Sequence, residues 1–231
     1  MAPADELVLA TRNRGKLREL IPLLRRMLGP GPRLIPVADL PAVPEIEETH
    51  PTFAANAVAK ARQAARASGR LALAEDSGLV VDALGGRPGV LSARYAPTPE
   101  AALARVLSEL GGVAPALRTA RFVCVAALAD PSGRCATREG RLEGVIAEAP
   151  RGERGFGYDP IFLARDLGPK AGEPAPGKPT PPPATLAELT EAEKNRISHR
   201  GRALQALGPA LVASVAAGRT IDPDQPSTNM D

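Results

Sequence analysis

Three residues able to hold a polyanion, Thr11, Asn13 and Lys16, stand together where an apolar run, residues 7–10, gives way to a helical pattern. Backbone N–H groups at a helix N-terminus have no partner inside the helix and sit at the positive end of its dipole, so a phosphate there gains hydrogen bonds and a favourable field. Thr11 and Asn13 add neutral hydrogen-bonding groups, and Lys16 adds a mobile charge. A Walker A loop is excluded, because GxxxxGK[ST] ending on Lys16 needs glycine where Ala10 stands and a hydroxyl where Leu17 stands. Taken alone, the segment is equally an ordinary strand-to-helix turn carrying a lysine.

Carboxylates supply a second element. Glu75 and Asp76 close an apolar run, residues 71–74, and are followed at once by Ser77 and Gly78; the glycine lets the chain bend so that side chains converge. In an open α/β sheet, ligands bind beyond strand ends of this kind. Glu45, Glu47 and Glu48 lie in a proline-bounded loop, residues 41–48, and by themselves read as solvated loop charges. Hard oxygen ligands from the two places suit Mg²⁺, which takes one or two carboxylates together with waters and substrate phosphate oxygens. The third element is Gly155-Phe156-Gly157-Tyr158-Asp159-Pro160. In a chain with four Phe, two Tyr and no Trp, two aromatics in one glycine loop form either a stacking platform for a base, with Asp159 accepting at its edge, or a plug fastening the loop to the core. The fourth is Lys194 with Ser198-His199-Arg200. His199, one of two histidines, either caps a helix or joins Arg200 in donating to a keto oxygen or a phosphate.

The elements that must position these residues follow from periodicity. The spacing predicts a strand at residues 7–11, a helix at 16–28 with Leu17, Leu20, Ile21, Leu24 and Leu28 on one face, a strand at 34–37 and a long helix at 53–67. A short strand at 71–74 ends at Glu75. A loop at 85–89 leads to a helix at 99–110, and residues 121–129 and 136–148 read as antiparallel strands joined at Asp130. Helices at 186–196 and 199–217 close the fold. Residues 168–183, dense in Pro and Gly, read as a flexible insertion in a single α/β domain, residues 1–218, and residues 219–231 as a frayed tail.

A chain of 231 residues with 44% hydrophobic and 24% charged residues buries a core without staples. Its two cysteines give no disulfide framework: Cys124 falls in an apolar strand and Cys135 past a turn, out of step with it. The N-terminus lacks a signal-peptide pattern, and no run reaches the roughly 18–20 apolar residues of a membrane span. These features lead to the expectation of a cytoplasmic protein with no membrane partner. The net charge of +3 permits polyanion binding, but the basic residues are scattered, which argues against a nucleic-acid-binding module.

The ordered segments LATRNRGKLREL, IEETHPTFAANAVAKA, AEDSGLVVDALGGRPGVLSARYA, FGYDPIF and ISHRG closely resemble the inosine triphosphate pyrophosphatase family over residues 7–210. The resemblance implies an α/β fold in which a long mixed β-sheet separates two lobes with the active site in the cleft between them. It implies Mg²⁺-dependent cleavage of ITP, dITP and XTP to monophosphate and pyrophosphate by a homodimer that cleanses the nucleotide pool. By position, Thr11, Asn13 and Lys16 would grip the triphosphate, and Asp76 would accept the proton of the attacking water. Glu47 or Glu48, with Glu75 and Asp76, would hold the metal. Ser77 and Lys194 would complete phosphate or sugar contacts, and Phe156, Gly157, Tyr158, Asp159, His199 and Arg200 would form the base pocket. Three positions depart from the family pattern: His50 stands where Gly is usual, Ala55 where Glu is usual and Glu75 where Asp is frequent. A phosphohydrolase of different nucleotide preference is the alternative enzyme.

Overall fold

The computed structural model describes residues 6–165, 184–217 and 221; the insertion expected at 168–183 and, apart from Ile221, the tail at 219–231 lie outside the described residues. Eleven regular elements follow in order: β1 (Glu6–Leu9), α1 (Arg14–Leu28), β2 (Arg33–Pro36), α2 (Phe53–Ser68), β3 (Leu71–Val81), α3 (Pro99–Glu109), β4 (Thr119–Ala129), β5 (Cys135–Ile146), β6 (Phe162–Ala164), α4 (Glu191–Ile197) and α5 (His199–Ala216). The strands form one mixed sheet in the order β2-β1-β3-β4-β5-β6. β1 runs parallel to both neighbours, with Leu7 opposite Leu34 and Leu71, whereas β5 and β6 are antiparallel, with Val145 opposite Leu163. The fold class is the mixed α/β architecture that the sequence predicts.

Internal contacts divide the chain into two compact units, one of Met1–Asp76, Val125–Gly140 and Ala203–Asp231, the other of Ser77–Cys124 and Arg141–Arg202. One core cluster of the first is built largely of small side chains, while Leu7, Leu9, Leu20 and Leu24 are buried elsewhere in that unit. Ala57, Ala61, Ala64 and Ala65 recur along one face of α2 and pack with Val8, Ala72, Ala74, Val125 and Ala127 from the strands. That helix starts at Thr52, whose hydroxyl accepts from the Ala55 amide, and stops at Gly69. The core of the second unit holds larger apolar groups than that cluster: Leu79, Val81, Tyr95, Val106, Phe122, Leu142, Tyr158, Ile161 and Phe162.

Two element expectations are corrected. β3 does not end at Glu75 but continues through Glu75-Asp76-Ser77-Gly78 to Val81, with both carboxylates buried inside it. The polar run breaks the apolar pattern yet keeps extended backbone, because the two charges find lysine partners. The helix expected at 186–196 is instead a single turn at Leu186–Glu188 followed by α4. Thr190 divides them: its hydroxyl accepts from the Glu193 amide while the Glu193 carboxylate accepts from the Thr190 N–H, so the chain starts a new helix there. Both cysteines are free thiols, Cys124 buried and Cys135 half-buried. No helix among the described residues is long and apolar enough to cross a membrane.

Candidate active site

In the first unit, α1 begins at Asn13, whose side-chain Oδ1 caps the helix by accepting from the Lys16 N–H at 3.1 Å. This leaves the Asn13 amide donors for use outside the helix. Thr11 Oγ1 accepts from the Asn13 N–H at 3.2 Å, so the turn is held by its own polar side chains. Lys16, one turn into the helix, is buried, and its Nζ lies 3.3 Å from Glu75 Oε1.

Asp76 follows on the same strand and is 2% exposed. Two residues of α2 reach it from successive turns: Asn56 donates to Oδ2 at 2.9 Å, and Lys60 Nζ lies 3.7 Å from Oδ1. Lys60 also pairs with Glu48, which turns inward from the proline-bounded loop, whereas Glu47 is exposed. Buried charges persist only when paired, and removing one partner of such a pair costs on the order of 3–5 kcal/mol. Burial is the largest influence on Asp76 and raises its carboxyl above the ordinary 3.8; Lys60 opposes it, the Glu48 charge adds to it, and Lys16 and Asn56 oppose it less. The net shift is upward.

Neither Asn56 nor Lys60 emerges from the sequence reading, which places them on a helix and assigns them nothing. A signal is nevertheless present. The two polar residues sit four apart and border Ala57 and Ala61 on a helix whose buried face is otherwise alanine. Of the family departures, His50 is exposed and is held through its backbone, which both donates to and accepts from the Asn56 side chain. A side chain at that position therefore leaves the loop's attachment intact.

In the second unit, Asp159 is buried and its Oδ2 accepts from Lys194 Nζ at 2.5 Å and from the Phe156 N–H at 2.8 Å. The latter bond closes the glycine loop. A Cβ on Gly155, where φ is +76°, would collide with that carboxylate, so only glycine fits. The two aromatics divide between the two roles open to them. Phe156 is 38% exposed, with Lys194 Nζ 5.0 Å and Arg200 Cζ 5.9 Å from its ring centroid, within cation–π range. Tyr158 is buried in the core and donates its hydroxyl to the Ser92 carbonyl at 2.9 Å, and burial raises its pKa. It plugs the loop; Phe156 carries the exposed face. Gly157, between them, has a φ of +62°.

Arg200 is among the largest fully buried side chains and donates to Ser77 Oγ at 3.4 Å. His199 stacks on Phe122, a residue of β4 to which the sequence reading assigns nothing, with ring centroids 4.9 Å apart and planes 11° apart. The turn that presents both is fixed by Ser198, whose Oγ accepts from the Gly201 N–H at 3.0 Å. Thus Ser77, Phe156, Asp159, Lys194 and Arg200 are linked by direct contacts in the second unit, as Lys16 with Glu75 and Glu48, Lys60 and Asp76 are in the first.

The sequence matches the Ham1 family over residues 7–210. The chain belongs to the Ham1 family. Among its relatives, the dITP/XTP pyrophosphatase of Desulforamulus reducens is 47% identical over 203 residues, 87% of this chain and 92% of that protein. The dITP/XTP pyrophosphatase of Bacillus subtilis is 44% identical over 211 residues, 90% of this chain and 98% of that protein. A solved HAM1 protein from Coxiella burnetii superposes with a TM-score of 0.75 at 41% identity, covering 90% of this chain and 98% of its own. Ham1 membership and the mixed α/β fold thus agree with the five sequence motifs.

The carboxylates of this Ham1 chain fit a hard divalent cation. Lys60 lies between Glu48 and Asp76, which marks a place where positive charge is favoured by two carboxylates. Among the described residues no three His, Cys, Asp or Glu side chains gather closely enough to hold an ion by themselves.

Proposed function

We infer that the protein is a nucleoside triphosphate pyrophosphatase that hydrolyses non-canonical purine nucleotides, ITP, dITP and XTP, to the monophosphate and pyrophosphate. The observation that carries this reading is Asp76, a buried carboxylate of raised pKa held between Asn56 and Lys60 in the middle of a strand. Its family membership and the naming of its relatives support the substrate class.

Thr11 and Asn13 donate to the triphosphate, and Lys16 and Lys60 neutralise charge that develops on its oxygens. Asp76 orients a water and takes its proton as the water oxygen bonds to the α-phosphorus and the α–β bridging bond breaks, releasing pyrophosphate. A general base works best with a pKa near the operating pH, and burial moves Asp76 in that direction. Mg²⁺ is the proposed cofactor: Glu48, in preference to the exposed Glu47, and Asp76, the two carboxylates that Lys60 joins, would hold it, with Glu75 on the Lys16 side, and bound there it would supply Lewis-acid neutralisation of the phosphates. In the second unit, Phe156 offers its face to the purine. His199 and Arg200 supply donors for a 6-keto oxygen, while adenine would oppose them with its amino group, and Lys194 and Ser77 complete phosphate or sugar contacts. Asp159 supports these groups by fixing Lys194 and the Phe156 loop, and Ser77 is positioned by Arg200. A cytoplasmic homodimer is the assembly the family resemblance implies.

The test is pyrophosphate release from ITP and from ATP, with Mg²⁺ and with EDTA. Metal-dependent release from ITP and little from ATP is expected. Equal release from both would leave a phosphohydrolase of different preference. No release, with tight and steeply salt-dependent nucleic-acid binding instead, would favour the binding module.

A further inference from the structure

Asn56 is 1% exposed, and its amide serves two partners of different kinds. Nδ2 donates to Asp76 Oδ2 at 2.9 Å and to the His50 carbonyl at 3.2 Å, while Oδ1 accepts from the His50 N–H at 2.9 Å. The partners themselves decide which way the amide faces, since an amide N–H must be met by oxygen and a carboxylate by N–H. A carboxylate torsion is broad and roughly two-fold, so burial alone does not choose which oxygen of Asp76 points where. The Asn56 bond does: Oδ2 is engaged by Asn56 and Oδ1 is the oxygen on the Lys60 side. The same side chain also binds both backbone groups of His50, two residues beyond Glu48.

We propose that Asn56 is a positioning residue that clamps the rotation of the Asp76 carboxylate and locks that orientation to the backbone of the loop bearing Glu48. The proposal rests on the reading of Asp76 as the base, and it adds a residue to which neither the motifs nor the relatives assign a role. Because the amide is shared, loop and carboxylate keep one registration; loosening either loosens both. Mispositioning of a catalytic group by about 1 Å costs on the order of 10²-fold in rate.

The experiment compares the parent with Asn56→Ala and the milder Asn56→Ser, each checked for a cooperative thermal transition. With ITP and Mg²⁺, kcat is expected to fall about 10- to 100-fold while KM stays within about threefold, the signature of lost orientation and not of lost binding. In the metal-free protein, hydrogen exchange at the His50 amide is expected to accelerate at least about tenfold in Asn56→Ala, since its acceptor is gone. A kcat within twofold of the parent in a folded variant, or a KM effect with kcat unchanged, overturns the proposal. If the parent itself releases no pyrophosphate from ITP, the functional reading fails, and the exchange arm still decides the clamp: an unchanged His50 rate removes it.

Discussion

A carboxyl whose pKa is higher in the folded than in the unfolded chain binds its proton more tightly when folded. The contribution of Asp76 to stability is therefore fully present below its unfolded value near 3.8 and is lost as the pH rises through the folded value. In the metal-free protein at pH 8 the ionised carboxylate is a net cost, which Asp76→Asn removes while Lys60 keeps Glu48 as its partner. We expect this variant to lose about 10²- to 10⁴-fold in kcat on ITP while its metal-free melting temperature at pH 8 is no lower than the parent's. Differential scanning fluorimetry and a pyrophosphate assay on one preparation check both halves; turnover within threefold of the parent removes the base role. At this scale much of the candidate site was legible. Thr11, Asn13 and Lys16 fall where an apolar run gives way to a helix, and Glu75 and Asp76 stand between apolar runs, where polar residues break a local rule for a reason. Asn56 and Lys60 were not legible, because a helix tolerates polar residues on its outer face and only the fold shows that these two face Asp76. Tyr158 and Phe156 look alike in the sequence; that one plugs the loop while the other stays exposed depends on which ring the core of the second unit accepts.

Elements were read less evenly, and their ends decide why. α1, α2, α3 and α5 were legible from period and caps to within a few residues, whereas β3 was cut short because burial of two charges has no signature in an apolar-run pattern. The Ala55 departure has an element-scale consequence. Thr52 caps α2 through the Ala55 N–H, but alanine has no side chain to return a bond to the Thr52 amide. Ala55→Glu restores that reciprocal pair and is expected to stabilise the protein by about 0.3–1.5 kcal/mol, a rise in melting temperature of a few degrees at most for a chain of this size; an unchanged or lower value rejects it. The β4–β5 turn is held differently. Burial raises Asp130, but hydrogen bonds from Ser132, Ile221 and Arg134 outweigh it and hold the carboxyl below the ordinary 3.8. Oδ1 accepts from Ser132 Oγ at 2.6 Å and the Arg134 N–H at 3.1 Å, and Oδ2 from the Ile221 N–H at 3.3 Å. A depressed carboxyl stabilises above its unfolded value and loses that contribution as the pH falls through the folded one. Asp130→Asn puts a donor against a donor at one of these contacts, and we expect a loss of about 1–3 kcal/mol near neutral pH. Urea titrations should show the gap to the parent closing below about pH 3.8; a gap that persists at lower pH would assign the loss to packing.

For the whole molecule, the decisive fact is where the chain passes from one compact unit to the other. The crossings fall at Asp76–Ser77, Cys124–Val125, Gly140–Arg141 and Arg202–Ala203. The first lies inside β3, the second inside β4, the third inside β5 and the fourth inside α5. Independent domains are ordinarily joined by exposed linkers with few structural demands, and none of these crossings is a linker. Each unit therefore holds part of strands and of a helix whose remaining residues belong to the other, so regular elements and not slack chain join them. Asp76 and Ser77 make the same point chemically, since one peptide bond separates the proposed base from the residue that Arg200 contacts. We expect a single cooperative unfolding transition, with calorimetric and van't Hoff enthalpies in agreement, and we expect coincident denaturation curves from probes placed in either unit. Two resolved transitions, or a fragment of either unit that folds alone, would show that the shared strands do not couple them.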